Sequence, residues 1–157
     1  MIASSINEIK RELSTLEPET LLMLCMRMAK YKKENKELLT YLLFESHHEQ
    51  TYIENIKEEI TEQFKTLPSN TYLLKKTLRK ILRIANKQIK YSGAKQTELE
   101  VRIFFCTKMK EAHVPRQPGS VLFNMYQQQL KKINTVLGKL HEDIQGDYLR
   151  EISDISR

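Results

Sequence analysis

A chain of 157 residues can hold one domain with a sizeable core, and its 40% hydrophobic and 29% charged residues are an ordinary globular mixture. Four Gly, four Pro and two Cys exclude collagen-like, low-complexity and disulfide-framework classes and argue against a turn-rich β-sandwich. A net charge of +6 admits nucleic acid, an anionic membrane or an acidic protein as partner without choosing among them.

Ile2, Ile6, Ile9, Leu13 and Leu16 recur at spacings of four and three, which predicts a first helix over about 4–15. Pro18 suits the first turn of the next helix, where its missing N–H costs nothing. Leu21, Leu22, Leu24, Cys25, Met28 and Ala29 give that helix a broad apolar face. Met23, Met26 and Met28 make the same helix Met-rich. Such a face is a pliable partner groove in some proteins, but core packing is the expectation here. The polar stretch 31–36 interrupts the pattern, and Leu38, Leu39, Leu42, Leu43 and Phe44 open a third helix that pairs with the second as a hairpin.

A fourth helix fits 48–65, with Tyr52, Ile53, Ile56, Ile60 and Phe64 inward and an acidic outer face of Glu54, Glu58, Glu59 and Glu62. The run Leu67-Pro68-Ser69-Asn70 ends it and caps a fifth helix over about 70–92, which stops at Gly93. A sixth helix spans about 95–112; its Val101–Cys106 portion is β-prone in composition but sits between strong helix formers and reads as buried helix. Pro115, Pro118 and Gly119 form the clearest break. A seventh helix covers about 119–139, and a weaker helical pattern with Gly146 inside it runs from 140 to 155.

The expected fold is all-α, with six to eight helices in antiparallel hairpins forming one compact irregular bundle; a short α-solenoid is the alternative, weakened by the absence of a 30–45-residue repeat. Residues 1–157 are expected to form a single all-helical domain, with 140–157 as a more weakly packed segment. The first six residues lack a basic segment leading into an apolar one, and the longest apolar run, Leu21–Met26, is far short of the roughly 20 residues a membrane span needs. With no lipidation motif either, the expectation is a cytoplasmic protein that does not enter a membrane.

Charge is unevenly distributed. Residues 1–66 hold 9 basic and 12 acidic side chains, whereas 67–157 hold 17 basic and 8 acidic. No acid occurs between Thr66 and Thr97. Within that window Leu74, Leu78, Ile81, Ala85 and Ile89 make a core-facing stripe, while Lys76, Lys80, Arg83, Lys87 and Lys90 make a parallel basic one with Arg79 and Lys75 beside it. Like charges so spaced repel by a few tenths of a kcal/mol per pair. Either an acidic face such as that of the fourth helix neutralises them, or the stripe serves an external anion. Nucleic-acid backbone is the commonest polyanion a linear basic stripe tracks, and Tyr91 at its end is placed to stack on a base.

Catalytic and metal signatures are weak. Glu45, His48 and Glu49 supply half of a metal site at helical spacing, and Cys106 lies seven residues from His113, the minimum for Cys–His chemistry on one face. No nucleophile elbow, phosphate loop or dinucleotide fingerprint occurs, and no cofactor is expected. The sequence therefore points to a non-catalytic module whose basic helix binds nucleic acid or another polyanion through Lys76, Arg79, Lys80, Arg83, Lys87, Lys90 and Tyr91. A protein-interaction scaffold meeting an acidic or apolar partner is the alternative, and an enzyme with a site assembled only by the fold is third.

Overall fold

The computed structural model describes all residues from Met1 to Arg157 as eight α-helices without a strand. They are α1 (Ile6–Leu13), α2 (Pro18–Tyr31), α3 (Lys33–Thr40), α4 (Glu49–Lys65), α5 (Thr71–Ser92), α6 (Lys95–Glu111), α7 (Val121–Leu137) and α8 (Glu142–Ser156). A π-helical turn, Tyr41–Glu45, continues α3. The helices fall into two compact units, Met1–Leu43 and Phe44–Arg157. No helix is long and apolar enough to cross a membrane.

In the first unit α1 opens on a capping box: the Ser5 hydroxyl accepts from the Glu8 amide while the Glu8 carboxylate accepts from the Ser5 amide at 2.8 Å. Helices α2 and α3 pack together as the expected hairpin. The break between them is narrower than the polar stretch suggests. Only Lys32 is extended, because Lys and Glu are good helix formers and carry α3 from residue 33. The Asn35 amide donates to the Met28 carbonyl at 2.8 Å, satisfying one acceptor at the end of α2. The expected burial of the α2 methionines is overturned: Leu22, Met23, Leu24, Met26 and Met28 are exposed, and so is Cys25. Tyr41 is the single buried side chain of this unit.

The second unit is organised around α6, which contacts α4, α5, α7 and α8. Its buried residues include Leu99, Val101, Arg102, Ile103, Phe105, Cys106 and Met109, and none of its residues from Thr97 to Lys110 is exposed. These four neighbours enclose it. Phe64 of α4 meets Phe105 edge-to-face at 5.9 Å between ring centres. The predicted inward stripe of α5, Leu74, Leu78, Ile81, Ala85 and Ile89, is buried in full. The Asn70 side chain caps α5 by accepting from the Tyr72 and Leu73 amides at 2.9 and 3.1 Å, and Gly93 ends it with φ 68°.

Polar groups on and beside α6 are satisfied. The Arg102 guanidinium donates to Glu98 one turn away, to Asn86 of α5 at 2.9 Å and to buried Gln129 of α7 at 2.8 Å. Glu100 accepts from Lys57 of α4 at 2.7 Å and from the Tyr148 hydroxyl of α8 at 2.9 Å. Helix α8 is further held by the Tyr126 hydroxyl, which donates to the Ile155 carbonyl at 2.7 Å, and by buried Ile152 and Ile155.

Two local features carry measurable consequences. After α6 the chain turns at His113, which has φ 50°. The His113 amide donates to Lys110 and the Val114 amide donates five residues back to Met109, the double bond that closes a helix when its last residue is left-handed. Replacing the exposed His113 by glycine removes the Cβ penalty. His113→Gly is expected to stabilise by about 1 kcal/mol and raise the Tm by about 2–4 °C in a thermal melt.

Burial pushes the Glu100 carboxyl up, but the Lys57 and Gln96 hydrogen bonds, the Lys57 charge and Tyr148 together hold it below its ordinary value of 4.5. A depressed carboxylate contributes stability that is complete above the unfolded value and is lost as pH falls through the folded one. Glu100→Gln should therefore destabilise the chain at neutral pH, and its deficit against wild type should shrink in denaturant titrations below pH 4.5.

Candidate functional site

Helix α5 positions the candidate surface. At 100° per residue its six basic positions from Lys76 to Lys90 fall within an arc of about 100°, diametrically opposite the buried stripe. Burial of that stripe thus fixes the outward direction of the cations. Lys76, Arg79, Lys80, Arg83 and Lys90 are exposed, and none of them takes part in an ion pair within 4.0 Å. Lys87 and Tyr91 occupy the same side but are half-buried and engaged with neighbouring groups.

Neutralisation by α4 was the competing expectation for the stripe. Helix α4 does lie against α5, but it forms no ion pair with the five exposed cations. Glu59 accepts from Gln88 at 2.8 Å, the Tyr52 hydroxyl donates to the Gln88 carbonyl at 3.0 Å, and Glu49 accepts from the Ser92 and Thr97 hydroxyls. On α5 these contacts sit at Gln88 and Ser92, about 130° and 170° from the middle of the basic arc. The repulsion within the five exposed cations is therefore left unrelieved by an acid.

On its other flank α5 borders a cleft of about 550 Å³. Lys90 and Asn86 of α5, Glu98 and Arg102 of α6, and Lys132 of α7 line it. Lys132 and Arg102 did not emerge from the sequence as neighbours of the stripe. The Lys131-Lys132 pair on an otherwise polar turn of α7 was the available signal, but only the packing of α7 on α6 brings it beside Lys90. Arg102 already serves Glu98, Asn86 and Gln129, so Lys90 and Lys132 supply the cleft's uncompensated charge.

The weaker chemical candidates come apart. The Cys106–His113 alignment fails because α6 ends at Glu111, before the chain reaches His113. The cysteine faces the core while the histidine is exposed on left-handed backbone. Burial pushes the Cys106 thiol up to about 12, the reverse of what a nucleophile needs. Glu49 is turned to Ser92 and Thr97, and His48 is the residue that precedes the first turn of α4. No group of three His, Cys, Asp or Glu side chains stands close enough to hold a metal ion.

Comparison with family models, with characterised proteins and with solved structures gives no significant match. The chemistry of the surface is therefore argued from its own residues.

The enclosed thiol is directly checkable. With an aromatic disulfide reagent at pH 8, at most one of the two cysteines is expected to react in the folded chain, and Cys106 should react only after denaturant is added. Rapid modification of two thiols under native conditions would mean that α6 is not enclosed.

Proposed function

We propose that this chain is a non-catalytic module that binds the backbone of nucleic acid along α5. The observation that carries the proposal is the row of five exposed cations without acidic partners, Lys76, Arg79, Lys80, Arg83 and Lys90, on one straight helix. Fourteen residues separate Lys76 from Lys90, about 21 Å at 1.5 Å per residue. Along duplex DNA that length carries about six phosphates per strand, comparable with the number of cations offered. Lys87 and the half-buried Tyr91 complete the surface, with Tyr91 contributing stacking to an unpaired base. Phosphate contacts fix position but carry no sequence information, so binding should discriminate poorly among sequences. Nothing in this proposal requires a cofactor.

Selection for stability alone would have placed Glu among these lysines, as α4 does with its own charges. The energetic penalty of the stripe is the physical support for an external anion, because counterion release on binding rewards the same clustering that repels in the free helix.

The test is fluorescence anisotropy with labelled single- and double-stranded DNA and RNA. With five phosphates neutralised, affinity for duplex DNA should fall about 500-fold between 50 and 200 mM salt, and for single strands about 100-fold. Lys80→Glu combined with Arg83→Glu should abolish the steep salt dependence. The variant should melt at an equal or higher temperature than wild type, since it turns the i,i+4 pairs 76–80, 79–83 and 83–87 from repulsive to attractive while the 80–83 pair merely stays like-charged. Absence of binding to all four probes at the lower salt would refute the proposal and leave an acidic protein as the stripe's partner.

A further inference from the structure

Fourteen of the twenty exposed large apolar side chains lie in residues 1–43. They include Ile6, Ile9 and Leu13 of α1 and Leu22, Met23 and Met28 of α2. Tyr41 is the only side chain of this unit that is buried. A stretch of three short helices cannot hold its shape without burying an apolar face, because helices of 8–14 residues are marginal in water on propensity alone. Residues 1–43 do not bury such a face among themselves.

We infer that residues 1–43 are a homodimerisation unit, in which the exposed apolar side chains of this three-helix unit are covered by the same unit of a second copy of this chain. Three observations select that occupant. The first is area. The exposures of the fourteen side chains amount to about nine whole residues, on the order of 900 Å² at roughly 100 Å² of apolar surface each, enough for the roughly 800 Å² per partner of a standard stable interface.

The second is charge. Residues 1–43 carry seven basic and six acidic side chains, so two such units meet almost without net repulsion, unlike two copies of the basic helix α5. The same balance disfavours an anionic membrane surface, since the polar side of α1 alternates Glu8, Lys10, Arg11 and Glu12 and lacks a basic excess. The third is constancy. The unit lacks a core of its own, and a second copy is the one partner present at equal concentration whenever the chain is. Ile6, Ile9 and Leu13 add the three-and-four spacing of helices that pair side by side, and a two-fold contact of this kind is self-complementary and closes.

The experiment is light scattering coupled to size exclusion on the full chain at micromolar concentration without nucleic acid. The expected mass is twice 18.6 kDa. Ile9→Glu with Met23→Glu should give the single-chain mass, raising the dimer Kd at least 100-fold. Leu22→Gln with Met23→Gln keeps side-chain length and helix propensity, and should weaken the dimer in the same direction should the charged variant lose helical signal by circular dichroism. Lys80→Glu with Arg83→Glu should remain dimeric, which separates this inference from the proposed role of α5. A wild-type mass of 18.6 kDa would overturn the inference. So would a dimer that both apolar-face variants leave intact, or one that the α5 variant dissolves.

Discussion

Enclosure of α6 is the constraint from which the second unit follows. A helix with no exposed residue from Thr97 to Lys110 has neighbours all along it, and these are α4, α5, α7 and α8. Each neighbour is then oriented by the stripe it turns inward. For α5 the inward stripe leaves only one direction for its cations, directly away from the core. The basic surface is thus a by-product of core packing as much as a feature in its own right, and the function proposed for it depends on α6 remaining covered.

The chain tolerates opposite solutions to the same electrostatic problem. Buried or half-buried charges are matched closely: Arg102 by Glu98, Asn86 and Gln129, and Lys57 by Glu100. Exposed charges on α5 are left to water. In the interior an unpaired charge costs several kcal/mol, whereas at the surface a repelling pair costs a few tenths. That difference in scale explains why the first kind of mismatch is absent and the second is allowed to accumulate along four or more turns.

Much of the second unit was legible in the sequence. Helix bounds fell close to expectation because apolar period and end signals agree there: Asn70 and Gly93 frame α5, and Pro115 to Gly119 separate α6 from α7. The inward stripe of α5 followed from spacing alone. What spacing cannot state is what covers an apolar face. Leu22, Met23 and Met28 have the pattern of core residues, yet the helices of their own unit leave them exposed. The cleft was illegible for a related reason. Lys90, Arg102 and Lys132 lie on three different helices and are brought together by packing that no local period encodes. A Cys106–His113 pairing, already weak in the sequence, would need α6 to run two residues further than the left-handed turn at His113 permits.

The fork of bonds made by Arg102 has a consequence for how this fold excludes its near relatives in conformation. An enclosed helix held by apolar contacts alone could slide along its neighbours by one turn, about 5.4 Å, and bury nearly the same area. Hydrophobic energy distinguishes poorly among such slips. A slip here would strand Asn86 and the buried Gln129 away from the one planar donor group that serves both. The penalty falls on the misaligned packings rather than on the native one, so a single arginine converts a permissive apolar contact into a unique alignment of α5, α6 and α7.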